Sequence, residues 1–498
     1  MPIISRGSRP HWGCLPAKVR LMILEEVCNL NDCKRASFAA VSREWQVIFE
    51  RRNFSRIKLT PGRLRHFHPM VHRNRHHIRY LWFVFELQRY GCAECEAKDV
   101  EQLMITAEDN NAITASLEEL FHTLSKLEPM GDLALDISVH SPSDSEHWFQ
   151  GLTFGPDDSL SGFSTNRVAE PRAAHVIEKP HHQWSGHAPE ENAILKVFQD
   201  VMGEGPFEDD PEEYQWWQQL PLVPAVTSII LRRQNRRRWK PNALRYMFAR
   251  FPKVEEIIYE PWREWDRTIQ GWTDDWYRIL FESFASSGIK RLTLFEDSNE
   301  HYSHRCKNCD LIRIPNIAVS ETIAQISLTF EHLSASFVAD ASQFFDAYKI
   351  SFKWPNLASL VLTSQLLTPD EDPISIYVML QAAAVVALQM PQLRTLEIWN
   401  GHEGSAGLFK YQFFERRRPA IVTWRGTWRL ILPPHVISSW EELALKHQGS
   451  GCNVAEELLD VDVKCHGDAI YYLQLSKLVL RPASLRQIRM EYNCQEVA

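Results

Sequence analysis

The sequence predicts an α/β protein in which a small N-terminal helical module precedes a long array of helix–strand units whose strands form one parallel sheet. Three observations carry this. The first 60 residues are locally helical and turn strand-like over Phe54–Leu59. A short strand phrase then recurs along most of the chain. Helical patterns and apolar-Pro pairs precede several of its copies.

The chain has 498 residues, enough for about three domains or one extended array. Hydrophobic residues at 44% and charged residues at 24% exclude a disordered or fibrous chain. A net charge of −8 is too mild to name a partner, and 20 glycines leave little material for phosphate loops. The longest uncharged stretch, Pro373 to Leu393, is interrupted by Ser375, Gln381, Gln389 and Pro391. It reads as a buried helix and a turn, not a membrane span. The first residues lack the apolar core of a secretory signal, so reduced thiols in the cytoplasm or nucleus are the expectation.

Leu15-Pro16 opens a helix with Val19, Met22, Ile23 and Val27 on one face. Pro16 suits a first turn, where its missing N–H is not needed. A polar break over 29–34 separates a second helical pattern holding Phe38, Val41, Trp45 and Ile48. Leu21 and Leu24 fall off the first stripe and give the helix a second apolar edge. A module of about 45 residues cannot bury that edge internally, which points to a partner.

The strand phrase places apolar residues at positions 1, 4 and 6. It fits Val226-Ile229-Leu231, Val254-Ile257-Tyr259, Ile289-Leu292-Leu294, Ile323-Ile326-Leu328, Leu357-Leu360-Leu362 and Leu393-Leu396-Ile398. Looser copies are Ile78-Leu81-Phe83, Met130-Leu133-Leu135, Trp440-Leu443-Leu445 and Leu485-Ile488-Met490. The six main copies start about every 28 to 36 residues, a solenoid-like period. Val223-Pro224, Phe251-Pro252, Trp354-Pro355 and Met390-Pro391 stand just before position 1. Each unit reads as helix, Pro-punctuated turn and strand. One unit cannot bury its apolar strand face, so neighbours must stack. Residues 141–211 are polar and aperiodic and read as a flexible insertion ending in the acidic run Glu208–Glu213.

The N-terminal residues resemble the F-box, which docks substrate receptors onto the Skp-type adaptor of cullin–RING ubiquitin ligases. Leu15-Pro16, Val19, Ile23-Leu24, Val27 and Val41-Ser42-Arg43-Glu44-Trp45 match its order and spacing. Lys18 stands where the pattern usually has an acid, and Arg35–Phe38 represents the middle helix. The resemblance implies an F-box over 10–58 and adaptor contacts by Leu15, Pro16, Val19, Ile23, Leu24, Val41 and Trp45. The whole chain is similar to a fungal F-box family whose C-terminal region has no assigned activity, through stretches such as 138–149, 216–227, 236–241 and 259–265. Helix–strand units over 59–140 and 212–498 resemble an irregular leucine-rich-repeat solenoid. The Asn or Cys usual three positions after the last strand apolar is replaced by Gln234, Trp262, Asp297, Glu331, Gln365 and Gly401. The expectation is a non-catalytic ligase receptor that binds the adaptor, through it a cullin, and a target protein, with no cofactor and no membrane.

Two further constellations compete with this reading. His301, His304, Cys306 and Cys309 are tetrahedral-zinc ligand types within one short stretch, but their tight His-first order favours incidental loop residues. Cys92 and Cys95 form a second Cys pair without a nearby His. The run Arg232–Lys240 could contact nucleic acid, the basis of an alternative scaffold function outside ubiquitination. A solvated face, or pairing within the chain with acids such as Glu208–Glu213, is the preferred reading. No phosphate loop, dinucleotide fingerprint or nucleophile elbow is present.

Overall fold

The computed structural model describes residues 12–29, 35–91, 105–146, 153–157, 191–203, 205–304, 306–310, 312–414, 419–449 and 451–495. The chain opens with three helices, α1 (Ala17–Asn29), α2 (Arg35–Phe38) and α3 (Arg43–Ser55). The first strands and their helices follow: β1 (Arg56–Leu59), α4 (Pro61–Val71), β2 (Tyr80–Glu86), α5 (Ala107–Leu124) and β3 (Ala134–His140). Next come α6 (Glu191–Val197), β4 (Asp200–Val201), α7 (Asp210–Gln219), β5 (Ser228–Leu231) and β6 (Arg238–Trp239). The middle of the chain forms α8 (Pro241–Phe248), β7 (Glu256–Tyr259), α9 (Arg267–Glu282), β8 (Arg291–Phe295), α10 (Glu300–Ser303) and α11 (Ile317–Ile326). It continues through β9 (His332–Asp340), α12 (Ala341–Asp346), β10 (Ser359–Thr363), α13 (Pro373–Ala387) and β11 (Thr395–His402). The last elements are β12 (Ser405–Gln412), β13 (Ala420–Gly426), α14 (Pro434–Gln448), β14 (Cys452–Leu458), α15 (His466–Leu473) and α16 (Pro482–Gln495).

The fold is mixed α/β, built on a twelve-stranded sheet in which strand order follows chain order; β4 and β6 pair separately. Pairing is parallel from β1 to β11, antiparallel through β11–β12–β13, and parallel again between β13 and β14. One row of side chains crosses the whole sheet: Ile57, Leu81, Leu135, Ile229, Ile257, Leu292, Leu333, Leu360, Leu396, Tyr411, Val422 and Val454. Alternation sends this row and its i+2 neighbours to one face, where those of β1 to β13 join a core cluster running from Leu59 to Ala444. Each buried Leu or Ile there contributes about 1.5–3 kcal/mol.

Punctuation follows the residue types. Pro224, Pro252, Pro355 and Pro391 each stand in the turn just ahead of a strand. Asp266, Asn316, Asp340 and Asp372 cap α9, α11, α12 and α13 by accepting bonds from their first-turn amides. Thr106 and Asp109 form a reciprocal capping box on α5. Pro373–Ala387 is a helix as expected, with Ile376, Leu380 and Ala383 buried.

Several expectations are corrected. Ile323-Ile326-Leu328 belongs to α11 and the turn behind it; the strand comes later, and Leu333 takes the place expected of Ile326. Trp440-Leu443-Leu445 and Leu485-Ile488-Met490 lie in α14 and α16, because positions 1 and 4 of the phrase also fit a helix face. In the Met130 copy the register is displaced by two, and Leu135 enters the row where Leu133 was expected. The wholly parallel sheet fails beyond β11, where Glu403-Gly404 turns the chain back into β12; Gly404 has φ +77°, which suits glycine.

The described parts of 141–211 also depart from a flexible insertion. Asp144 and Asp157 are buried, and Ile194, Val197 and Phe198 of α6 pack with Trp262, Trp265 and Tyr302. The polar residues there pair with charges from elsewhere in the chain, so aperiodic polarity was a poor guide to exposure.

The second face of the sheet is covered over β8 to β12 by the returning chain. Phe295, Val361, Trp399 and Leu408 pack there against Ala469, Ile470 and Leu473 of α15 and Ile488 and Tyr492 of α16.

Candidate functional site

The N-terminal module is held by a small core of Leu24, Cys28 and Phe49, with Trp12, Val27, Phe38, Trp45 and Ile48 packed around it. Ser42 caps α3, its hydroxyl accepting the Trp45 amide at 3.4 Å, which fixes where Trp45 enters the helix. Trp45 then stacks on Phe49 with ring centroids 5.5 Å apart and 10° between planes. Glu44 ties the start of α1 to α3. It accepts from Trp12 Nε1 at 2.9 Å and from Arg20 Nε at 2.9 Å. Those two bonds hold its carboxyl below the ordinary range.

This packing sorts the sequence candidates. Leu15, Val19 and Ile23 are 36%, 39% and 37% exposed, and their spacing of four places them along one side of the entry to α1. Met22 and Val41 are exposed as well, as is Pro16. Leu24 is 0% exposed and Trp45 is half-buried against Phe49. The expectation that Leu24 forms an outward second edge is corrected: Leu24 is the inner edge, and the Val19–Ile23 stripe is the outer one. Leu21 is exposed as expected.

The run Arg232–Lys240 lies beyond the C-terminal end of β5, and Arg232, Arg233, Arg236 and Arg237 are all buried. Arg232 Nε donates to Asp136 Oδ2 at 2.8 Å, and the same oxygen accepts Tyr80 OH at 2.6 Å. Arg233 pairs with Asp297 and reaches Glu491 Oε2 at 2.7 Å; Arg236 donates to Glu491 Oε1 at 2.6 Å. Arg237 pairs with Asp144, and Arg238 with Glu264 and Asp200. Lys240 lies 3.0 Å from both Asp210 and Glu213, so the acidic run answers only this last member. The guanidinium carbons of Arg236 and Arg233 sit 4.1 and 4.7 Å from the Trp262 ring centre. Arginines enclosed in this way present no open cationic face to a phosphate backbone.

Burial would raise the Glu491 carboxyl, but the guanidiniums of Arg236 and Arg233 outweigh it and hold the group below its ordinary range. Asp297 is lowered in the same way: Arg233 and the His466 contact at 2.9 Å outweigh burial. Asp274 goes the other way, raised to about 6 by burial even though Arg313 lies 2.5 Å away.

His301, His304, Cys306 and Cys309 do not converge. His301 faces Tyr492, with ring centroids 5.5 Å apart, while Cys306 joins the Trp262–Trp265–Tyr302 cluster. Cys309 Sγ accepts from Arg263 Nη2 at 3.1 Å, and burial raises its thiol. Among the described residues, no group of three or more His, Cys, Asp and Glu is placed to hold a metal ion. Cys92 and Cys95 lie outside the described residues. Among the described residues, no helix is long and apolar enough to cross a membrane.

Sequence reasoning missed the acids that answer the arginines, above all Glu491, which is 258 positions from Arg233. It also missed an outward stripe on α9, where Ile269, Trp272 and Trp276 are exposed at helical spacing. A protein-family model described as a family of unknown function (DUF6546) matches residues 284–481, less than half of the chain. The match runs from the turn before β8 to the residue preceding α16, and so takes in α15 but neither the N-terminal module nor the arginine run. No curated protein matches the chain.

Proposed function

We propose that the N-terminal module is an F-box that docks a Skp-type adaptor, making the chain a non-catalytic substrate receptor of a cullin–RING ubiquitin ligase. The observation that carries this is the exposed stripe of Leu15, Val19 and Ile23 on a module whose core is closed beneath it by Leu24, Cys28 and Phe49. Apolar side chains in water beside a satisfied core are what a docking helix presents. The rest of the chain, read as an irregular leucine-rich-repeat-like solenoid, would hold a target protein and raise its effective concentration at the ligase without covalent chemistry of its own. The returning C-terminal segment fills part of the second sheet face, so target contact falls to the helix layer, where Trp272 is 62% exposed.

The test is pull-down of a purified Skp-type adaptor by the full chain. Val19→Asp with Ile23→Asp should weaken capture at least thirtyfold, as loss of a central apolar anchor does. Both positions are exposed, so the melting temperature should hold. Leu15→Ala with Pro16→Ala should give the same loss. Adaptor capture unchanged in the Val19/Ile23 pair would refute the F-box reading.

A further inference from the structure

The sheet ends at β14, and that edge is unusually open. β14 pairs in unbroken register with β13, from Ala420 opposite Cys452 to Gly426 opposite Leu458. Among the described residues no strand lies on its other side. The ladder fixes which backbone groups are spoken for. The Ala420 amide donates to the Gly451 carbonyl at 3.1 Å, and the Leu459 amide to the Gly426 carbonyl at 2.8 Å. In a parallel ladder each residue sends its N–H and C=O to the same side, alternating along the strand. Asn453, Ala455 and Glu457 therefore bond β13, while Cys452, Val454, Glu456 and Leu458 turn their N–H and C=O outward. Edges of this kind template another strand unless they are short, bulged or covered.

The side chains say what could lie there. Val454 is opposite Val422 and Leu458 opposite Gly426, so both point to the helix-covered face, yet they are 40% and 63% exposed. Glu456 shares that face, and Glu457 is on the other. Both glutamates are exposed, as are Asp460 and Asp462 just beyond the strand. Arg425 answers Glu457 at 3.0 Å, and Glu456 has no ion-pair partner among the described residues. A neighbouring strand brings its side chains within about 5 Å of these. A basic residue would meet Glu456, and apolar residues two positions to either side of it would cover Val454 and Leu458. A second copy pairing through the same edge would set acidic strand against acidic strand, which like charge disfavours.

We propose that the outer edge of β14 is a strand-addition site for an extended segment of a partner protein whose face over Val454, Glu456 and Leu458 carries one basic side chain between two apolar ones. The site is independent of adaptor docking, because it uses the opposite end of the sheet from the N-terminal module.

Fluorescence anisotropy of the full chain with the capped peptide Thr-Val-Thr-Lys-Thr-Val-Thr, which sets Val, Lys and Val on one face, tests this. The peptide should bind, and the same peptide with Glu in place of Lys should not. Val454→Pro removes an outward N–H while leaving the β13 ladder intact, and should weaken binding at least tenfold. Glu456→Lys should do the same through charge. N-methylation of one alternate set of peptide amides should abolish binding and of the other set should not, a contrast that stands even where Val454→Pro perturbs folding. Binding that ignores N-methylation, or no binding of the Val-Lys-Val peptide, would overturn the proposal. So would concentration-dependent dimerisation of the free chain that Val454→Pro abolishes, since the occupant would then be a second copy.

Discussion

Replacing Glu491 with Gln should loosen the C-terminal helix from the body of the protein. The Glu491 carboxylate is shared by Arg236 at 2.6 Å and Arg233 at 2.7 Å and accepts Tyr302 OH at 2.9 Å, with all four side chains buried. Removing one partner of a buried ion pair costs about 3–5 kcal/mol. Gln keeps one acceptor oxygen and Arg233 keeps Asp297, so the low end, about 3 kcal/mol, is expected. The cost falls first on α16, which Glu491 anchors. Hydrogen exchange of the α16 amides should therefore quicken by about two orders of magnitude, with a smaller change in β5 to β8. The variant Arg236→Met with Glu491→Leu removes a cation along with the anion and should recover more than half of the loss. The pH dependence has a fixed sign. A carboxyl lowered in the folded state stabilises above its ordinary value of 4.5, and that contribution is lost as pH falls through the folded value. E491Q should lack this part of the acid limb. A destabilisation under about 1 kcal/mol, or a double variant worse than the single, would refute the reasoning.

The remaining predictions are these. Burial first, then Arg237 and Lys58, lower the His140 imidazole from 6.5 to about 3, with its ring stacked 3.7 Å from Phe154. Its contribution is complete above pH 6.5 and declines below it at up to about 1.4 kcal/mol per pH unit. Urea titrations from pH 7 to 4 should show a flatter profile for His140→Phe, and identical slopes would count against a neutral buried imidazole. Leu360→Asp buries an unpaired charge in the middle of the row and should unfold the array by circular dichroism. Adaptor capture by the N-terminal module should survive it. Leu24→Ala should cost about 2–5 kcal/mol in the module's own melting, whereas Val19→Ala should cost little, and the reverse order would contradict the inward placement of Leu24.

Strand phrases were legible where the local signals agreed. At Val226, Val254, Leu357 and Leu393 an apolar-Pro pair precedes the phrase, and the structure places the central residues Ile229, Ile257, Leu360 and Leu396 in one row. The Ile323 copy had no proline before it and sat inside α11, where positions 1 and 4 make a helical face as readily as a strand. Its true counterpart, Phe330-Leu333-Ala335, was overlooked although all three are buried. The antiparallel turn at β11–β13 was less legible: Ala420–Gly426 alternates between buried and half-buried residues in the fold, but apolar Ile421 at a half-buried position breaks that alternation in the sequence.

The arginine run shows where reading a sequence locally must stop. Nine residues with so many positive charges look like a solvated or phosphate-binding face, because no acid lies within the run itself. What buries them is topology. The run leaves β5 beside Asp136 within β3, Glu260 just past β7 and Asp297 just past β8, and α16 brings Glu491 down on top. Asp136 lies 96 positions upstream of Arg232, and Glu491 255 positions downstream of Arg236. No window short enough to read by eye holds both partners. The N-terminal module is the opposite case. Its contacts span at most a few turns of neighbouring helices, as with Glu44 and Arg20, 24 positions apart. There the apolar pattern itself marks the exposed stripe, and only the orientation of Leu24 needed the fold. Local contacts are legible in proportion to how short they are, so the N-terminal module and the β14 edge of the sheet, which pack on their sequence neighbours, are where surface readings of this sequence carry furthest.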